Sequence, residues 1–402
     1  MTKILYLPHR IPFPPNKGDK LRSFNFLKHL SQNHEVVLGT FLDDLNDRQY
    51  VDTLKQFCCE SFVVEQSPLF RRAISLKGIA QRKSLSVPYY ESARLQSWVH
   101  HVIGRMGIKK LLIFSSTMSQ FIDHPQYSHA LRIADFCDID SDKWLQYSQR
   151  SKWPMSAVLR REAKYLFAYE RAIANRFDFT TFVSEKEAQL FQLLAPETSS
   201  KIKFIDMGVD TDYFDPDCES ISSIDSEQIG EKAVVFTGAM DYRANSDAVE
   251  WFCANVWPKV IFDEPKAKFF VVGSNPPASL TALSGSANVT VTGRVPDVRP
   301  FIKFARVAVA PLRIARGTQS KVLEALAMGK QPIVSSSAAQ GLDPVALNQL
   351  HIVDDPEPMA AKIVQSLNQQ RFYESAREAV KISYGWSAHL AKLDQLLRSK
   401  KL

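Results

Sequence analysis

Among its 402 residues the chain has no uninterrupted apolar run close to the roughly 18 residues that a membrane-spanning helix requires. Cysteine is scarce: there are five, an odd number, with Cys58 and Cys59 adjacent and no Cys-x-x-Cys pair. A zinc ribbon, a redox dithiol and a disulfide framework are thereby excluded, and reduced, mostly buried thiols are expected. Nucleotide and hydrolase signatures are missing too. No Gly-x-Gly-x-x-Gly follows the first apolar run, and no Walker loop, His-Glu-x-x-His, Gly-x-Ser-x-Gly or kinase signature occurs. These absences disfavour a dinucleotide dehydrogenase and a P-loop NTPase. The opening MTKILYLPHRIPFPPNKGDK has too short an apolar stretch, and no small-residue cleavage site, for a secretory leader. A cytoplasmic location is expected.

What is present is ordinary in amount. Hydrophobic residues make up 45% and charged residues 23%, values typical of globular domains, and 402 residues suit two of them. The formal charge of +7, from 50 basic and 43 acidic residues, is modest. It is compatible with acidic small molecules, nucleotide phosphates or an anionic membrane face. No nucleic-acid signature accompanies it, so no nucleic-acid partner is expected.

Short apolar runs at 4–7, 36–38, 61–64, 111–114, 131–134 and 179–183 predict strands, with helical patterns between most of them. Leu21, Phe24, Leu27 and Leu30 recur at helical spacing, and 142–176 predicts one or two long helices. A stretch rich in Asp, Ser and Glu then follows, MGVDTDYFDPDCESISSIDSEQIGEK, and is the best candidate for a linker. The alternation restarts with strands expected at 233–237, 268–272, 289–292, 307–310, 332–335 and 350–353. Helices are expected near 246–255, 320–328 and 358–367, and two more separated near Tyr384-Gly385-Trp386. Strand and helix alternating at this rhythm imply two consecutive doubly wound α/β domains with parallel sheets.

In such sheets ligands bind beyond the carboxyl ends of the strands. The most informative loop lies in VAVAPLRIARGTQSKVLEALAMGKQPIV, residues 307–334. A strand feeds a loop with Arg313, Arg316, Gly317 and Thr318, and a helix follows with Gly329 as its left-handed cap. Gly317 lets the backbone approach a ligand, and free amides at a helix start suit a diphosphate. Lys321 and Glu324, three apart, share a face near that start. A cation for phosphate and a carboxylate for sugar hydroxyls would suit a nucleotide-sugar. The spacing fits equally well an ordinary amphipathic helix carrying a solvated ion pair.

This stretch resembles the donor-site signature of the family 4 retaining glycosyltransferases, whose two Rossmann-like domains face each other across a cleft in the GT-B arrangement. The resemblance extends over nearly the whole chain. It takes in PPNKGDKLRSFNFLKHLSQNHEV, DIDSDKW, VSEKEA, MGVDTDYF, FTGAMDYRANSDAVEWF and VTGRVPDVRPFIKFARVAVAPL. Order and spacing are most similar to sugar transferases linked to exosortase-associated exopolysaccharide clusters. The resemblance implies an acceptor-binding domain over 1–205, a donor-binding domain over 206–385, and a final helix within 386–402 that packs back on the first. It implies that Glu324 holds the nucleotide ribose, that Lys321 faces the pyrophosphate, and that Gly18 lies in a loop facing the donor phosphates. Arg294 and Val295 would border the base, with Arg243 as the one cation near the second domain's first strand. Two departures stand out: Arg316 occupies the place of the family's first glutamate, and the usual Arg/Lys pair after that strand is unclear.

Within DIDSDKW, an EF-hand beginning at Asp138 fails because Lys143 and Gln149 stand where glycine and glutamate are needed. Asp138 and Asp140 are candidates for the acceptor cleft, against plain turn and capping roles. Basic residues of the first half include Arg71, Arg72, Lys77, Arg82, Lys83, Lys109, Lys110, Arg160, Arg161 and Lys164, among Phe70, Leu76 and Trp98. They suit a lipid-linked acceptor or peripheral membrane contact, although scattered solvated charges explain them slightly better. His100 and His101 are expected on a surface. The resulting expectation is a metal-independent transferase without a resident cofactor. It would move sugar from a nucleotide-sugar donor to a glycan or lipid-linked acceptor, with Lys321, Arg313 and Arg316 stabilising the leaving diphosphate. A nucleotide-sugar epimerase of the same fold and a non-catalytic sugar-nucleotide-binding protein are the alternatives.

Overall fold

The computed structural model describes residues 2–15, 18–65, 67–221, 226–315, 317–369 and 372–399. The chain divides into two compact units, Met1–Asp206 with Leu390–Leu402, and Met207–His389.

The first unit holds a seven-stranded parallel sheet. Its strands are β1 (Thr2–Pro8), β2 (His34–Leu42), β3 (Glu60–Glu65), β4 (Lys110–Phe114), β5 (Leu131–Cys137), β6 (Phe179–Phe182) and β7 (Ile202–Phe204). Their order is β3-β2-β1-β4-β5-β6-β7, so the winding reverses at β1. Ile4, Leu5, Tyr6 and Leu7 are all fully buried, without alternation, as a strand covered on both faces requires. The helix Gly18–Asn33 buries Leu21, Phe26, Leu27 and Leu30. The long helical stretch is two helices, Asp140–Gln149 and Met155–Arg176. Pro154 separates them, because its ring biases the preceding residue away from helical backbone.

The second unit holds six parallel strands, β8 (Ala233–Thr237), β9 (Lys268–Val272), β10 (Val289–Gly293), β11 (Val307–Ala310), β12 (Ile333–Val334) and β13 (His351–Ile352). Their order is β10-β9-β8-β11-β12-β13, and here the winding reverses at β8. The helix Ser320–Ala327 ends in Gly329 at φ +68°. The acidic stretch read as a linker is in its described part a packed element of this unit. Val209, Phe214 and Ile221 enter the core, and Arg377 donates to the carbonyls of Phe214 at 2.9 Å and Ala327 at 2.7 Å. The helix Trp386–Arg398 begins in the second unit and ends in the first. There Lys392 Nζ lies 2.8 Å from Asp206 Oδ2, and His29 Nε2 lies 3.0 Å from Asp394.

All five cysteines are free, but four are half-buried and Cys59 is exposed, which corrects the expectation of mostly buried thiols. Cys58 and Cys59 lie in the turn leading into the edge strand β3, where the core gives out. Burial still pushes the Cys58 thiol up to about 11 and that of Cys253 up to about 12. Among the described residues no helix is long and apolar enough to cross a membrane.

Lys20 pairs with Asp47 in the first unit, and a second buried ion pair reaches across its sheet. Arg22 Nε and Nη2 donate to Asp135 at 2.8 and 3.1 Å, and Nη1 donates to the Ile205 carbonyl at 2.7 Å. Thr181 Oγ1 also donates to Asp135, at 3.0 Å. The pair thus links the first helix, β5, β6 and the end of β7. Arg22→Ala would leave the Asp135 carboxylate buried without its countercharge, and should destabilise the first unit by about 3–5 kcal/mol. The double variant Arg22→Ala/Asp135→Ala should cost less than the sum of the single changes. Urea denaturation of the three variants checks both expectations.

Candidate functional site

In the second unit β8 is laid down first, β9 and β10 lie on one side of it, and β11 to β13 on the other. The helices leaving β8 and β11 diverge, and an opening forms between their starts beyond the strand ends. Asn245, on the helix Arg243–Asn255, and Lys321, on the helix Ser320–Ala327, meet there. Lys321 Nζ donates to Asn245 Oδ1 at 2.8 Å, and Asn245 Nδ2 donates to the Ala239 carbonyl at 2.8 Å. The ammonium also stands 5.2 Å from the Phe236 ring centroid.

Bare backbone lines this edge. Gly238 and Gly273 close β8 and β9 with φ of +152° and +157°. A Cβ on Gly273 would fall 1.7 Å from the Gly238 carbonyl oxygen, so no side chain fits there. On the other side Gly317 has φ +59°, and Thr318 Oγ1 donates to the Gly341 carbonyl at 3.0 Å. The loop is thereby fixed just before the helix Ser320–Ala327, whose start carries no side-chain cap. Its first amides remain available to an anion.

Lys321 and Glu324 are half-buried, and no ion pair joins them among the described residues. Burial lowers the Lys321 ammonium to about 8, against the opposing pull of Glu324. Burial raises the Glu324 carboxyl to about 7, against the pull of Lys321. The Glu324 carboxylate makes no hydrogen bond with the described residues, whereas Lys321 is already aimed by Asn245. Near Glu324 stands Tyr213, whose phenol is raised by burial, by Asp297 and more weakly by Glu324. Its ring is stacked by the Arg299 guanidinium, 3.9 Å from the centroid. A cation, an open carboxylate and free amides at one helix start form a pocket edge suited to an anionic, hydroxyl-bearing ligand.

The other expected residues fall as follows. Arg313 follows β11 and donates through Nε and Nη2 to the Asp247 carboxylate, with Nε 2.9 Å from Oδ2. Arg243 opens the helix Arg243–Asn255 and is exposed. Arg294 is exposed after the edge strand β10, and Val295 packs on the cluster of Phe270 and Phe301. Arg316 lies outside the described residues. Gly18, Asp138 and Asp140 belong to the first unit. Gly18 is the exposed first residue of its helix. Asp138 and Asp140 both pair with Lys143, at 2.9 and 3.1 Å. Beneath them the buried Glu170 carboxyl accepts from the Ser141 amide and hydroxyl, and burial raises it well above the usual range. Among the described residues no group of three or more His, Cys, Asp or Glu could hold a metal ion. His100 and His101 are exposed, as expected.

Asn245, Asp247 and Tyr213 went unrecognised in the sequence. The glycine closing β8 is the local sign that the segment after it borders a ligand. Nothing in the spacing distinguishes the Asn245 amide from a surface residue.

The profile of a family described as glycosyl transferases group 1 matches residues 231–369. No curated protein matches the chain. Among solved structures the chain is similar to Anabaena Alr3699/HepE, crystallised in complex with UDP-glucose. Identity is 15%, coverage 100% of both chains, and the TM-score 0.70. It is similar to WaaG, a glycosyltransferase involved in lipopolysaccharide biosynthesis, with 15% identity over 98% of this chain and 100% of that one, TM-score 0.67. It is also similar to S. aureus TarM, with 11% identity over 99% and 100%, TM-score 0.65. These likenesses show the fold, two parallel-sheet α/β units of the GT-B kind. Fold and family match together support a GT-B glycosyltransferase.

The raised Glu324 carboxyl has a consequence in the free protein. A group with a raised folded pKa stabilises most below its unfolded value, near 4.5, and loses that contribution as pH rises through about 7. Glu324→Gln should therefore melt above wild type at pH 8, and the difference should close as pH falls toward 4.5. Melting curves across that range check the sign.

Proposed function

We propose that the chain is a retaining, metal-independent glycosyltransferase that moves sugar from a nucleoside diphosphate sugar to a glycan or lipid-linked acceptor, in exopolysaccharide biosynthesis. The observation that carries this reading is the Lys321–Asn245 hydrogen bond across the reversal point of the second sheet, with the open Glu324 carboxylate on the same helix. The match over residues 231–369 includes all three residues, and the similar HepE was crystallised with UDP-glucose.

In this reading the diphosphate lies on the free amides of the helix start, and Lys321 meets its charge. Arg313, oriented by Asp247, and Arg316 supply further positive charge from the loop. Glu324 accepts from the ribose hydroxyls. As the bond from the sugar C1 to the phosphate oxygen breaks, the acceptor oxygen bonds to C1 on the same face, and its proton passes to the released phosphate. Catalysis then rests on electrostatic stabilisation of the leaving group rather than on a carboxylate pair. The remaining donor contacts, Gly317, Thr318, Arg243, Arg294, Val295 and Gly18, and the acceptor contacts Asp138 and Asp140, belong to the same proposal. The acceptor side extends it to the membrane. Exposed Leu69, Leu76 and Ile79 alternate with exposed Arg72 and Lys77 in the first unit, a pattern that suits an anionic bilayer at the cytoplasmic face.

A panel of UDP-, GDP- and ADP-sugars with membrane extract should give nucleotide release only when acceptor is present. Conversion of the donor alone would mark an epimerase, and binding without turnover a non-catalytic protein. Lys321→Ala should lower kcat as well as donor affinity, by about 2–4 kcal/mol in all. Glu324→Gln should act mainly on donor affinity, by roughly 1.5–3 kcal/mol. Near-wild-type turnover in both folded variants would remove this donor site. Donor affinity should be greatest between about pH 7 and 8, where Glu324 has ionised and Lys321 still holds its proton. The acidic limb should vanish in Glu324→Gln. Separately, the protein should bind anionic vesicles at low salt and leave them at high salt, and binding indifferent to salt would count against the electrostatic contact.

A further inference from the structure

Among the described residues of the first unit, the buried cation Arg71 meets no anion. Arg71 is 2% exposed, and its Nε and Nη2 have no hydrogen-bond partner. No ion pair reaches it among the described residues. Its guanidinium carbon lies 4.9, 5.5 and 5.6 Å from the ring centroids of Phe41, Tyr89 and Tyr90. Arg132 is also buried with an unpartnered Nε, but its Nη2 donates to the Arg176 carbonyl at 2.7 Å, and the other buried cations are matched. Arg22 has Asp135, Lys20 has Asp47, Arg299 has Asp297, and Lys330 donates to the carbonyls of Lys303 and Ala305. Aromatic faces attract a guanidinium but accept none of its directional hydrogen bonds. Burying such a fork unsatisfied is costly, so its retention needs an account.

The position of the cage supplies one. Phe41 is near the carboxyl end of β2, and Tyr90 packs edge-on against His9, just past β1, with centroids 5.7 Å apart. His9 in turn stacks on Phe114, the last residue of β4, at 5.7 Å. Arg71 therefore stands beyond the strand ends where the first sheet reverses its winding, the place at which α/β sheets take ligands. A separate observation marks the same edge. Directly after β4, Ser115 holds φ +77°, unusual for a residue with a side chain, and Ser116 is 1% exposed with no partner for its hydroxyl among the described residues. That segment is tied to the helix carrying Tyr89 by Gln120 Nε2, which donates to the Val87 carbonyl at 2.9 Å.

We propose that the Arg71 cage receives an acidic group, phosphate or carboxylate, of the molecule to which the sugar is transferred. The proposal rests on the glycosyltransferase reading for the word acceptor, but the site itself does not. A planar guanidinium matches either oxyanion bidentately, and the tyrosine rings beside it offer faces on which a sugar ring can pack. An acid entering the cage would supply the counter-charge that the protein withholds.

Isothermal titration of the full chain at low salt with glucose 1-phosphate, glucuronate and glucose tests this, using wild type, Arg71→Met and Lys321→Ala. Wild type and Lys321→Ala should bind one of the acidic sugars at least about tenfold more tightly than glucose, and the preferred one identifies phosphate or carboxylate. Arg71→Met should lose that preference while melting no lower than wild type, because an unbranched apolar chain fills the cage without a buried charge. A wild type indifferent to charge, or a preference that survives in Arg71→Met, overturns the proposal. So does an Arg71→Met protein that melts lower or fails to fold, since the guanidinium would then be structural. Loss of the preference in Lys321→Ala also overturns it, by assigning the binding to the second unit. UDP titration keeps the two readings apart. Failure of wild type to bind UDP removes the donor site and leaves the acidic-sugar result to stand on its own.

Discussion

A parallel strand with helices on both faces has no solvated side, and this constraint organises both units. Every position of such a strand must be apolar or fully satisfied, so polar chemistry is displaced to the strand ends. β1 and β8 show it in their unbroken runs, Ile4–Leu7 and Ala233–Phe236, all buried. The ends at which the winding reverses are then the places where two helix starts separate and backbone amides face an opening. Lys321 and Asn245 occupy that place in the second unit, and the Arg71 cage in the first.

Buried charge is treated differently according to its position. In the sheet interior, Arg22 and Asp135 satisfy each other through two hydrogen bonds, and a third goes to a carbonyl. Such a pair costs desolvation but leaves nothing unmatched, which suits a structural role. At the strand ends the matching is incomplete. Glu324 and Lys321 are pushed toward their neutral forms by burial, and each still lacks the contact that would restore full charge. A diphosphate beside Lys321 and hydroxyls beside Glu324 would supply those contacts. The protein holds the two groups at some cost to stability, as functional sites commonly do.

Several elements were legible because their determinants are local. Val307–Ala310, Ala233–Thr237 and Lys268–Val272 were expected as strands with the observed limits, since short apolar runs bounded by turn residues leave little choice. The stretch 142–176 was expected as one or two helices, and it is two, Asp140–Gln149 and Met155–Arg176, on either side of Pro154. Less legible was the stretch after Asp206. Its many acidic and hydroxyl residues suggested a domain linker, and Val209, Phe214 and Ile221 anchor its described part in the second core. The cysteines near β3 were misjudged for a related reason, because residue type predicts average burial and not whether a strand lies at the edge of its sheet.

By itself the sequence determined the alternation of strands and helices, the parallel α/β class, and the loop and helix over 313–328 as the stretch bearing a cation and a carboxylate on one face. These depend on periodicities of two and of three to four residues, which are properties of neighbours along the chain. Only the tertiary structure decided that Lys321 bonds Asn245, 76 positions away, that Asp247 holds Arg313, and that Arg71 lies caged without an acid. Each of these depends on which strands become neighbours in a sheet and where the winding reverses. That is fixed by the packing of distant segments, and no local spacing encodes it.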